Sequence, residues 1–275
     1  MRLDAKAGVL VALVGWVYAP AFWWMADRWW ASDSYYSHGL LIPIVSAALV
    51  WRRRHELAAL TLSPSPAGLR LIGVAIAMQL LSALWRIYFL SAFSLLTLLA
   101  GMVLAVGGRP LWRQVWFPIL FLVFMIPMPL ALIAQVSLQL KFLAASVSRE
   151  AIEFFGIPSE QDGSTLYLPH GVVLVEDVCS GLRSLIALLA LGVLFTYLTK
   201  TVWWKRAALL TATVPIALGA NIFRITTVCL VSEVYGYEFA SGAFHDAMGF
   251  IAFGVAYGLF ALLATAMRTG KEGVS

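Results

Sequence analysis

Long apolar runs joined by short polar links dominate this chain, and their lengths cluster near the roughly 20 mostly apolar residues that one membrane-crossing helix needs. Eight such spans are predicted, over about 7–26, 35–51, 67–85, 87–106, 115–134, 182–198, 207–230 and 243–267. The first run follows Arg2 and Lys6, and Ala19-Pro20-Ala21 imitates a signal-peptide cleavage site. It continues through Phe22-Trp23-Trp24, which predicts an uncleaved helix. Arg52-Arg53-Arg54-His55 stops the second run, Ser63-Pro64-Ser65-Pro66 precedes the third, and Gly107-Gly108-Arg109-Pro110 ends the fourth. Pro127 and Pro129 are predicted to kink the fifth.

The only long polar stretch lies between spans five and six, over about 135–179. Residues 139–155 mix Phe142, Leu143, Val147 and Ile152 with Lys141, Arg149, Glu150 and Glu153, a pattern that predicts a helix lying on the membrane surface. Thr165-Leu166-Tyr167-Leu168, then Pro169-His170-Gly171, then Val172 to Val175 predicts a small hairpin. The expected fold is an all-α integral membrane protein: a single polytopic domain over 1–275 with about eight transmembrane helices, an extracytoplasmic interfacial helix and that hairpin.

Composition agrees: of 275 residues 61% are hydrophobic and 12% charged, and mean hydropathy is +0.87. Globular domains are about 25% charged, so a soluble domain, a disordered tail and a disulfide scaffold are excluded. The net charge of +5 would by itself suggest nucleic acid, but its placement gives a different reading. With both termini and the even-numbered turns assigned to the cytoplasm, that side holds 13 of the 19 Lys and Arg residues and only 3 of the 14 acids. This is the positive-inside asymmetry, and it requires no nucleic acid.

The same topology brings three reactive side-chain types to the outer face: Cys179 at the start of span six, Arg224 in the outer part of span seven and His245 at the start of span eight. A thiol at a helix N-terminus feels unpaired amides and the positive end of the dipole, and both favour thiolate. Arg183, four residues on, would add a cation on the same helical face, while Glu176 and Asp177 oppose it. An arginine inside an apolar run costs about 2.5–3.5 kcal/mol unless paired or wetted, and Asn221 shares its face. Together the three supply what acyl transfer requires: a nucleophile, a proton carrier and a cation for the oxyanion. Each also has a bland reading, as a buried small hydrophobe, a snorkelling arginine and an interfacial imidazole. Three other functions stay open: a transporter or channel with Arg224 and His245 lining the path, a thiol acyltransferase acting on lipid, and a structural protein.

Cys179-Ser180-Gly181-Leu182-Arg183, Asn221-Ile222-Phe223-Arg224 and His245 heading the final helix resemble, in order and spacing, the exosortase/archaeosortase family of membrane cysteine transpeptidases. Tyr36-Ser37-His38-Gly39 resembles that family's N-terminal element, and the resemblance runs from about Asp33 to Phe253. It implies cleavage of a C-terminal sorting tail (a motif, one helix and a basic cluster) on secreted proteins. The new C-terminus would pass through a thioester on Cys179 to an acceptor, whether lipid, glycan or amine. His245 would act as general acid/base and Arg224 would stabilise the oxyanion, supported by Arg183, Asn221, Ser180, Gly181 and His38. The expected location is the plasma (bacterial inner) membrane, with both termini cytoplasmic and the site outside. No cofactor, metal or nucleic acid is called for. Asp33, Glu176, Asp177, Glu233 and Glu238 are candidates to orient His245. Cys229 is expected to pack, His170 to be a solvated turn residue, and Trp29, Trp30, Tyr35 and Tyr36 to form an interfacial belt.

Overall fold

The computed structural model describes residues 5–31, 34–175, 180–199 and 202–269. The chain divides into two compact units, Met1–Pro129 and Leu130–Ser275. Among the described residues six helices are long and apolar enough to cross a membrane: Gly8–Trp30, Pro66–Trp85, Tyr88–Val106, Leu130–Phe154, Trp203–Tyr235 and Ala243–Met267. Leu41–Arg52 and Leu182–Leu198 are shorter apolar helices.

The first unit consists of α1 (Ala5–Trp30), α2 (Leu41–Arg52), the short α3 (Arg54–Ala58), α4 (Pro66–Trp85), α5 (Tyr88–Val106) and α6 (Gly108–Phe121), followed by a 3-10 turn over Leu122–Met125. α4 starts where the sequence provides a start: the Ser65 hydroxyl accepts from Ala67 N, and Pro66 takes the first turn, where no amide partner is needed. Several polar groups of these helices pair with one another. Tyr18 bonds Ser94 Oγ at 2.6 Å, Ser94 donates to the Ala75 carbonyl at 2.8 Å, and Gln79 donates to the Val17 carbonyl while accepting from Ser91 at 2.7 Å. Gln79, the one mid-span amide of α4, is thereby engaged in helix packing.

Residues 35–40 form turns, and the second helix begins only at Leu41, so the expected span over 35–51 is shortened. That turn is anchored to α1. Ser34 Oγ donates to the Arg28 carbonyl and accepts from Tyr36 N, Met128 N donates to the Tyr36 hydroxyl, and Trp29 Nε1 donates to the Met125 carbonyl at 2.9 Å. Gly39 lies flat on the Trp29 indole, where a Cβ would come within 2.2 Å of Nε1. Trp29 and Tyr36, expected in an interfacial belt, are therefore core residues at 9% and 4% exposure, whereas Trp30 is 71% exposed.

The fifth expected span does not exist as one kinked helix. α6 ends at Phe121, the 3-10 turn follows, and Ile126 is extended at ψ 115°. Pro127 and Pro129 each lack an amide donor, and each pushes the residue before it out of the α region, so together they separate two helices.

In the second unit α7 (Leu130–Phe154) is continuous for 25 residues. The surface helix expected over 139–155 is its C-terminal half. No Gly or Pro interrupts 130–155, and Gly156 at φ +83° ends the helix. β1 (Glu160–Asp162), β2 (Thr165–Leu168) and β3 (Gly171–Leu174) form an antiparallel meander in that order, so the expected hairpin carries a third strand. α8 (Leu182–Leu198), α9 (Trp203–Tyr235), the short α10 (Tyr237–Ser241) and α11 (Ala243–Thr269) complete the unit. The 33 residues of α9 extend about 50 Å, well beyond a hydrocarbon core of roughly 30 Å.

Two apolar clusters meet along α9. One joins Ala145 and Ile152 of α7, Leu166 and Val173 of the meander, Ile225, Val228 and Cys229 of α9, and Met248 of α11. The other joins Leu188 of α8, Leu209, Ala217 and Ala220 of α9, and Phe260 of α11. Asn221 and Arg224 fall at the junction between them.

Candidate functional site

Arg224 is 8% exposed in the middle of α9, and its guanidinium points to the first turn of α11, where Nη2 lies 2.7 Å from His245 Nε2. A guanidinium only donates, so Nε2 is the acceptor in this contact. One turn further along α11, Gly249 faces the same guanidinium, and a Cβ there would stand 3.4 Å from Arg224 Cζ and 3.5 Å from Nη2. A methyl there would touch the guanidinium without overlap, whereas a larger side chain would displace it. Sequence reasoning passed over Gly249, although a glycine four residues after a candidate histidine on a helix marks the same face.

Asn221 is 5% exposed and packs against Gly181: a Cβ on Gly181 would be 2.9 Å from Asn221 Cγ. Gly181 is the N-cap of α8 with φ +76°, a left-handed conformation that glycine adopts without strain. Ser180 is fully buried, its hydroxyl accepting from Leu182 N at 3.3 Å, and Ser184 Oγ donates back to the Gly181 carbonyl at 2.9 Å. The Ser-Gly pair thus forms a cap seated on Asn221, three residues before Arg224.

Cys179, with Glu176, Asp177 and Val178, lies outside the described residues. The chain on both sides is described. Val175 is 2% exposed, its amide bonded to the Ser164 carbonyl, and Ser180 resumes the chain at the cap. α8 begins at Leu182 after the left-handed Gly181. Arg183 is partly buried in the first turn of α8, and its Nε has no hydrogen-bond partner among the described residues.

A partly open cleft of about 60 Å³ runs beside the pair, lined by Val173, Leu174 and Val175 of the β3 segment, Arg224, Ile225 and Val228 of α9, Tyr237 and Ser241 of α10, and His245. Tyr237, Ser241 and the β3 residues were not read as site residues from the sequence, because only the folding of the meander and α10 against the end of α9 brings them there. Of the acids considered for His245, Glu233 engages His170 instead, accepting from both its backbone amide and its ring Nδ1. His170 therefore ties the β2–β3 turn to α9, although its side chain is 74% exposed. Asp33, Glu176 and Asp177 lie outside the described residues, and Glu238 is exposed on α10. Cys229 is a free, fully buried thiol in the core, in agreement with a packing role.

His38 belongs to the first unit, in the turn before α2. Its ring stacks on Tyr36 at 6.0 Å, both ring nitrogens are buried without a hydrogen bond among the described residues, and burial lowers its pKa below the ordinary value.

A multi-pass helical membrane protein with a buried arginine and a histidine joined beside a partly open cleft is the class these features define. The chain belongs to the transmembrane exosortase family, which it matches over residues 29–262, from the end of α1 to the second half of α11. No curated protein and no solved structure matches it.

Proposed function

We propose that this protein is a membrane cysteine peptidase and transpeptidase that removes the C-terminal sorting tail of secreted proteins and transfers the new C-terminus to an acceptor. The observation that carries the reading is the 2.7 Å contact between Arg224 and His245, a cation and an imidazole from separate helices. Cys179 is bonded to Ser180, so its Cα lies within about 7.6 Å of the Gly181 Cα, and Gly181 packs on Asn221, one turn from Arg224. This connectivity supports a reading in which the thiol meets the pair.

In this reading Arg224 holds His245 while the cleft is empty. An entering carbonyl draws the guanidinium toward the oxygen on which charge develops, and Nε2 is released to take the thiol proton. Cys179 Sγ attacks the carbonyl carbon, the C–N bond breaks as His245 returns the proton to the departing amine, and a thioester remains. The acceptor then gives its proton to His245 as it attacks, and the thiol is regenerated. Positive-inside placement of the tail's basic cluster would set its motif at the outer face, on the side expected for Cys179.

The test co-expresses secreted reporters bearing a panel of motif-helix-basic tails with wild type and with Cys179→Ala, Arg224→Ala or His245→Ala, following reporter size by blot. Tail loss with wild type that vanishes in all three variants supports the reading. Processing that survives Cys179→Ala, or no processing of any tail when all four proteins accumulate in the membrane, rejects it.

A further inference from the structure

The two edges of the meander differ in chemistry. β1 is Glu160-Gln161-Asp162, a charged edge of the kind that discourages strand pairing. β3 is Gly171-Val172-Val173-Leu174, with no charge and no proline, and Val172 and Leu174 are 46% and 52% exposed. The register shows which backbone groups this edge leaves open. Leu168 pairs with Gly171 across a two-residue turn, Leu166 pairs with Val173, and Val175 N donates to the Ser164 carbonyl. In an antiparallel ladder these alternate pairs exchange the hydrogen bonds, so the N–H and C=O groups of Val172 and Leu174 point away from β2. Nothing among the described residues hydrogen-bonds to them. An unpaired apolar edge is a liability that folded proteins otherwise blunt.

This edge leads to the site. Leu174 lines the cleft together with Arg224, His245, Ile225, Val228 and Tyr237. The geometry points to β3 as the docking edge for the substrate: an extended peptide segment adds to the meander as a fourth strand, its backbone paired with Val172 and Leu174. Two open positions about 6.6–6.8 Å apart fit a peptide in β conformation and no compact ligand. One of its side chains enters the apolar part of the cleft, and its carbonyl reaches the Arg224–His245 pair. The inference rests on the peptidase reading for the identity of the peptide, the segment before the tail helix.

The test uses the full chain in membranes and the panel of tailed reporters. Leu174→Pro deletes one outward N–H and leaves the β2–β3 ladder intact, because Leu174 faces Thr165 in a pair that exchanges no hydrogen bond. Leu174→Ala keeps the N–H. Loss of one backbone bond should raise KM for the processed reporter about tenfold in Leu174→Pro relative to Leu174→Ala, which loses the side chain but keeps the N–H, with kcat of the two variants within about threefold of each other. A photoreactive residue at position 172 in a His245→Ala background should form an adduct with the same reporter. Equal KM in Leu174→Pro and Leu174→Ala, or no adduct at 172, overturns strand addition. Processing that survives Cys179→Ala while the adduct forms rejects the thiol mechanism and leaves the docking edge standing. If wild type processes no tail, the adduct alone decides, and its absence from the whole panel overturns the inference.

Discussion

Arg224 and His245 stand 21 residues apart in the chain and 2.7 Å apart in space, because α9 and α11 pack side by side with α10 folded between their ends. The guanidinium bonds His245 while lying against Gly249, a planar placement that a lysine ammonium cannot reproduce. Arg224→Lys should keep a positive charge yet lower tail processing by about 10²–10³, the usual loss when one oxyanion donor is removed. Processing rates in membranes, normalised to protein level, check this; a lysine variant with near wild-type activity would mean that charge alone suffices.

Gly249 should show a graded effect. A methyl at 3.4 Å from Arg224 Cζ is ordinary contact, so Gly249→Ala is expected to keep activity within about threefold. Gly249→Leu pushes the guanidinium off the helix and should lose at least about 30-fold, in line with the sensitivity of catalysis to displacements of about 1 Å. The pair of variants is compared by processing rate at equal membrane abundance.

Gly181→Ala faces two penalties: a left-handed backbone at φ +76°, costing about 1–2 kcal/mol, and overlap with Asn221. Removing the overlap with Asn221→Gly should recover part of the loss, so the double variant is more stable than the sum of the singles. Thermal unfolding in detergent measures the coupling; strict additivity would separate the two residues.

Acid should destabilise the fold through His38. Its folded pKa lies below the unfolded value of about 6.5, so the unfolded chain binds the proton first. The stability that neutral His38 contributes is therefore complete above about pH 6.5 and is lost as pH falls toward the lower folded value. His38→Gln should flatten that part of the profile. Melting temperatures at pH 8 and pH 5 are compared, and an equal drop in both proteins would assign the acid sensitivity elsewhere.

The two thiols should behave oppositely. Cys229 is buried in the meander core, so Cys229→Ala is expected to cost about 1 kcal/mol of stability and leave tail processing intact. A membrane-impermeant maleimide should label wild type and Cys229→Ala equally, and should not label Cys179→Ala.

Several features of this molecule were legible in the order of its residues. Apolar run length marked the long helices, because a chain in lipid must satisfy its amides internally and helices do so locally. Arg224 and His245 were legible because a charge in an apolar run and an imidazole at a helix start are costly exceptions. Where helices stop was legible only in part. The polar stretch from about 135 suggested a span ending near 134 and a separate surface helix over 139–155, yet polar side chains do not break a helix, and α7 runs unbroken from Leu130 to Phe154. Pro127 and Pro129 read as a kink, but two missing donors within three residues end a helix. What tertiary structure alone decided is which distant groups meet: Gly249 beneath the guanidinium, Gly181 on Asn221, Glu233 on His170, and the open edge of β3 beside the cleft. Hydrophobic periodicity fixes which face of a helix is buried, whereas the partner of that face depends on packing between segments far apart in the chain, which no local pattern encodes.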